Sequence, residues 1–141
     1  MKKKKILIAL VILVFVLGLV FHNHLIRFYV SLRPASLENY AAQLLNEGAQ
    51  TEDRYGLWKT SCYPGDGMVE FHTGGWGLAP SATYTGFYYS ADNSHKLFSA
   101  AYPEETTMQI DGDRAQWCDG TDNQGISIRI TENWFWFEAS F

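Results

Sequence analysis

From Ile6 to Phe21 every side chain is apolar, with Gly18 the only interruption, and the sixteen positions show no wet face. A helix that is apolar all round is one surrounded by lipid or by protein. Further along, Leu37, Tyr40, Ala41, Leu44 and Leu45 fall at i, i+3, i+4, i+7 and i+8, which predicts an amphipathic helix over 36–47 with Ser36 as N-cap and Gly48 as its closing residue. Pro34 disfavours helix at Arg33 and separates the two segments.

From Tyr55 the period changes to two, and turn residues arrive every eight to twelve positions, as in an antiparallel β domain. Tyr55 to Cys62 reads as a strand, Pro64-Gly65-Asp66-Gly67 as its turn and Met68 to His72 as the return strand, followed by a glycine-rich loop from Gly74 to Pro80. Three further hairpins are predicted: Tyr84 to Ser90 with Lys96 to Tyr102, Thr107 to Ile110 with Arg114 to Trp117, and Ile126 to Thr131 with Trp134 to Ser140. Each turn supplies the Gly, Asn or Asp that tight reversals favour. In the last pair Ile126, Ile128 and Ile130 alternate with polar residues and point to a core. The final strand is apolar on both faces, with Phe135, Phe137, Ala139 and Phe141 on one and Trp134, Trp136 and Glu138 on the other. Either the 36–47 helix covers the second face, or a tryptophan patch is free for a partner.

Charge turns the apolar run into an anchor. Lys2, Lys3, Lys4 and Lys5 precede it, and lysines at one end of a span hold that end in the cytoplasm. As a helix the run covers about 24 Å, short of the roughly 30 Å hydrocarbon layer, so the lysines must snorkel at one end while Leu25, Ile26, Phe28 and Tyr29 extend the apolar surface at the other. A cleaved secretory signal shares the basic start and apolar centre, but His22 to Ser36 offers no good pair of small residues for cleavage. A pilin-like start is excluded because no Gly peptidase site precedes the run and no Glu lies early within it. The expected organisation is a cytoplasmic basic tail at 1–5, a signal-anchor helix at 6–30, a linker with the amphipathic helix at 31–54, and an exported β domain at 55–141. The fold class is mainly β with one short helix: a transmembrane helix followed by a small antiparallel sheet, as meander, sandwich or barrel, with one disulfide.

Six of the eleven cations precede Ser36 and no acid does, so the remainder carries five basic against all fifteen acidic residues, a net −10. Such a body repels phosphate backbones, which argues against nucleic acid as a partner. The two cysteines, Cys62 and Cys118, both fall in the part expected outside the cytoplasm, where thiols pair. A bridge closing that loop is worth about 4 kcal/mol on the chain-entropy account.

Candidate chemistry is sparse. His72 and His95 are the histidines of the β domain, and a proton-transfer site could combine His72 with Asp66 or Glu70. The ordinary reading of each is a polar strand-end residue. Asp111-Gly112-Asp113 and the Asp119 to Asn123 stretch offer oxygens but lack the order of a calcium loop, and read as turns, so no metal and no cofactor is expected. Gly74-Gly75-Trp76-Gly77 lacks the following helix that a phosphate cradle needs. Trp76, Trp134 and Trp136, with Glu138 beside them and Tyr84, Tyr88 and Tyr89 nearby, form a candidate partner surface, against the alternative that aromatic residues fill the core.

An anchor plus a small acidic β domain is an architecture, and architecture does not fix function. The reading favoured by charge and aromatic content is a non-enzymatic module, tethered to the bilayer through 6–30, whose exported domain binds a protein such as an envelope component or an incoming toxin. An envelope enzyme acting on glycan or peptide, and a structural subunit of a membrane complex, are its competitors.

Overall fold

The computed structural model describes residues 2–78, 81–97 and 106–141. Two helices, α1 (Lys2–Ser31) and α2 (Ala35–Glu47), precede eight strands: β1 (Thr51–Tyr55), β2 (Trp58–Tyr63), β3 (Met68–Leu78), β4 (Ser81–Ser90), β5 (Thr107–Asp111), β6 (Arg114–Cys118), β7 (Gln124–Thr131) and β8 (Trp134–Ser140). The strands form one sheet in the order β1-β2-β3-β4-β8-β7-β6-β5, and every neighbouring pair is antiparallel. The last strand therefore sits in the middle. It joins a meander of β1 to β4 to a second meander of β5 to β7.

The apolar period of α2 is realised as expected: Leu37, Ala41 and Leu44 are buried, and Gly48 takes the left-handed conformation at φ 70° as its N–H reaches the Leu45 carbonyl. Ser36 is not the cap. The helix begins one residue earlier, after Pro34, and the Ser36 hydroxyl accepts a bond from the Tyr55 phenol at 2.9 Å. Between the helices Arg33, at φ 49°, makes a charged elbow, with ion pairs to Glu38 at 2.7 Å and Glu132 at 3.0 Å.

Both faces of the central strands are covered. On one side Ile26 and Val30 of α1 and the apolar face of α2 pack on Val69, Phe71, Phe87, Trp134 and Trp136. On the other, Met68, Tyr88, Trp117, Phe135, Phe137 and Ala139 form a second cluster, partly roofed by residues 91–97, whose His95 ring lies 4.8 Å from that of Phe135. The two-faced apolar pattern of β8 is thus answered by helices on one side and a loop on the other. Trp134 is fully buried and Trp136 nearly so, and neither presents a surface to a partner. The β7 isoleucines are only half-buried.

Several boundaries differ from the sequence reading. The run from Tyr55 to Cys62 contains a turn, with Gly56 at φ 60°, and the sheet begins at Thr51 because β1 folds back on β2. Gly74 to Leu78 is strand, paired with Ser81 to Thr85 past a bulge between His72 and Gly74. Lys96 and Leu97 are not in a strand, and the rest of that predicted strand, 98–102, lies outside the described residues. Instead β4 takes β8 as its neighbour.

The expected disulfide is absent: Cys62 is a buried free thiol and Cys118 an exposed one. The reason is strand order. Cys62 in β2 and Cys118 in β6 are separated by β3, β4, β8 and β7, five strand spacings or about 24 Å along the sheet, whereas a bridge needs Cα atoms within about 7 Å. Burial pushes the Cys62 thiol above its ordinary pKa, with the Glu47 charge adding to it, which lowers its reactivity. Alkylation of the folded protein is expected to label Cys118 alone, with Cys62 labelled only after denaturation. Peptide mapping under non-reducing conditions checks both; a linked pair of peptides would contradict the strand order.

No single helix among the described residues is long and apolar enough to cross a membrane. Within α1, the segments Ile6–Gly18 and Phe21–Ser31 meet that requirement together and are bent by 60°.

Candidate functional site

Residues two apart on a strand share a face, and this brings Glu70 and His72 together on the side away from the helices. Glu70 Oε2 lies 3.3 Å from His72 Nε2. Glu70 is 5% exposed and its side chain forms part of a hollow of about 210 Å³ walled by Tyr63, Tyr84, Phe137 and Phe141. The His72 ring stands edge-on to Phe137 at 6.0 Å. Burial, then the Glu70 charge, pushes the Tyr63 phenol above its usual pKa. The hollow is smaller than the roughly 300–1,000 Å³ of ordinary ligand pockets; it accommodates one side chain or a small polar group. Asp66, on the short turn Pro64–Asp66, is exposed and does not line it.

His95, grouped with these residues in the sequence, belongs to a different place. Its Nδ1 lies 2.9 Å from Ser127 Oγ, which lies 2.6 Å from the Tyr88 hydroxyl. That hydroxyl also accepts the Lys96 N–H at 3.1 Å. His95 Nε2 is buried without a hydrogen-bond partner among the described residues. The network fastens the 91–97 segment to the sheet. Asn93 extends it by accepting bonds from Arg129 and from the Asn133 N–H through one side-chain oxygen, and burial pushes the Tyr88 phenol up to about 12.

Burial, aided by Arg129, holds the His95 pKa below its ordinary value, with Asp113 acting weakly the other way. The unfolded chain then binds the proton more readily than the folded one. Stability from this group is complete above about pH 6.5 and falls as the pH drops below it. The melting temperature of the full chain in detergent is expected to decline between pH 7 and pH 5, and His95→Gln to flatten that decline. An unchanged slope would remove His95 as its source.

Two further surface regions bear on the expected partner surface. At the end of the sheet where β1 turns into β2, Leu57 is 92% exposed and Trp76 73%. They border one shallow surface with Tyr84, Arg54 and Lys59. On the helix side, beyond the reach of the helices, a groove of about 420 Å³ runs over β5 to β8 between Gln109, Gln116, Gln124, Cys118 and Glu138. The candidate partner surface therefore divides: Trp134 and Trp136 are core, Glu138 belongs to this groove, and Trp76 stands on β3, two strands from β8, in the separate surface with Leu57, which the sequence reading did not single out. A large apolar residue directly after Gly56, inside a two-residue turn, was the signal available for it.

Asp119, considered for calcium, accepts bonds from the Thr121 N–H at 3.1 Å, the Thr121 hydroxyl at 2.5 Å and Asn123 Nδ2 at 2.7 Å, the pattern of an Asx turn. Among the described residues no three His, Cys, Asp or Glu side chains converge as metal ligands would. No family model, curated protein or solved structure matches this chain, so its own geometry carries the functional argument.

Proposed function

We propose that the chain is a single-pass membrane protein, amino terminus in the cytoplasm, whose exported acidic β domain binds a protein partner. The observation that carries the binding part is the pairing of Leu57 and Trp76, both far more exposed than large apolar side chains usually are, on one shallow surface. Exposed aromatic anchors beside aliphatic ones are the composition of interface centres. The net −10 body speeds approach of a basic partner over distances of about 8 Å at physiological salt. Arg54 and Lys59, which border the patch, then set local specificity. The tether is supported by the four-lysine start and the apolar run.

A photo-crosslinker at Arg54, exposed on the border of the patch, is expected to trap a discrete partner in cells. Trp76→Ala with Leu57→Ser should abolish the adduct while the melting temperature stays unchanged. An undiminished adduct in the well-folded double variant would exclude this surface. A reporter fused after Phe141 should be active only outside the cytoplasm; activity inside would reverse the orientation.

The Glu70–His72 pair in its aromatic hollow supports a second reading, an envelope enzyme acting on glycan or peptide. Glu70→Gln separates the two, since it would abolish hydrolysis but leave binding through Trp76 intact.

A further inference from the structure

We propose that the second segment of α1, Phe21–Ser31, lies in the headgroup layer of a phospholipid bilayer and holds the β domain down on the membrane surface. The inference rests on the anchor reading and adds the pose of the domain. Phe21, Leu25, Phe28 and Leu32 are 49%, 60%, 65% and 64% exposed. Their spacing of 4, 3 and 4 residues places them on one stripe, turned about 150° from the Ile26–Val30 side that docks on the sheet. Leu32 belongs to the stripe because its N–H still reaches the Tyr29 carbonyl at 3.2 Å.

A helix apolar on two sides, with only one covered by its own sheet, needs a second apolar neighbour. Continuity identifies it. The stripe runs directly into the Ile6–Gly18 segment, whose described apolar side chains are all exposed and belong in lipid on the anchor reading. The 60° bend gives the depth. If the first segment follows the membrane normal, the eleven residues after the bend, about 16 Å long, climb only about 8 Å, close to the thickness of one interfacial layer. A second copy is the other possible occupant, since the same spacing suits a coiled-coil seam, but such seams need three or four heptads and this stripe has under two.

The test uses the full chain in phosphatidylcholine–phosphatidylglycerol vesicles. An environment-sensitive fluorophore is placed at Phe28→Cys, at Leu25→Cys or at Leu13→Cys, each in a Cys118→Ser background, Cys62 being buried. Quenching is compared between nitroxide on the lipid and iodide in the water. The expected result is quenching by lipid nitroxide and protection from iodide at all three positions, with positions 25 and 28 quenched best by nitroxide near the headgroups. Iodide access at 25 and 28 with lipid contact at 13 overturns the proposal and leaves the anchor standing. No lipid contact at 13 overturns the anchor and the proposal with it. Shielding of 25 and 28 from both quenchers identifies a protein contact and also overturns it.

Discussion

Trp134→Ala is expected to cost about 3–5 kcal/mol, the range for truncating a large aromatic side chain in a packed core. Trp134 has no exposed surface and is ringed by Phe71 and Phe87 at 5.9 Å and Tyr89 at 5.2 Å. Those partners belong to β3 and β4, so the indole bonds the middle of the sheet to its first meander beneath both helices. Domains of this size are stable by about 5–15 kcal/mol in total, and the variant would sit close to unfolding at ambient temperature. Urea titration of the detergent-solubilised chain, followed by the four remaining tryptophans, measures the loss. Trp76→Ala, measured alongside, should shift stability by no more than about 0.5 kcal/mol, because its side chain stands in solvent. Equal effects at the two positions would contradict the division between core and surface tryptophans.

The second large effect is expected from the smallest change. Gly86 in β4 lies where a Cβ would collide with the Phe71 carbonyl oxygen of β3 and stand 2.7 Å from Cε1 of Phe137 in β8. Neither neighbour is the free end of a flexible chain. Gly86→Ala must prise β4 from β3 or displace a buried ring, and overpacking of that kind costs about 1–3 kcal/mol or more. The same substitution at Gly65, whose Cβ would meet nothing within 4 Å, is the control, and a melting temperature lowered only at Gly86 is the expected outcome.

Much of this arrangement is legible before any coordinates. The hairpins Thr107–Asp111 with Arg114–Cys118 and Gln124–Thr131 with Trp134–Ser140 follow from alternation broken by Gly, Asp and Asn, and the α2 stripe follows from its 3.6 period. Glu70 and His72 could be placed together because i and i+2 on a strand share a face. What escapes the sequence depends on distance. Alternation in the glycine-rich stretch is broken by the bulge after His72, so a strand reads as a loop. Gly56-Leu57 is too short a turn to stand out within a run of β-forming residues. The cysteine pairing fails because it assumes that neighbours in a list become neighbours in space, whereas β8 wedges between the two meanders. For Trp134 and Trp136, a strand apolar on both faces states that two covers exist and leaves open whether the second is the protein's own helices or another molecule.

The central place of β8 also sets a schedule. Thr83 pairs with Ser140 across 57 residues, a long loop to close and a slow one. As the chain is made, β1 to β4 and β5 to β7 can each form their local hairpins, but nothing joins them until residues 134–140 arrive. During that interval the flanks of β4 and β7 both offer unpaired backbone, the kind of exposed edge on which partly folded chains associate with one another. A stop after Asn133 would make the interval permanent, leaving two half-sheets with no strand between them. On the proposed anchor, such intermediates would be held apart along the membrane, and the domain would close only when its final strand is released.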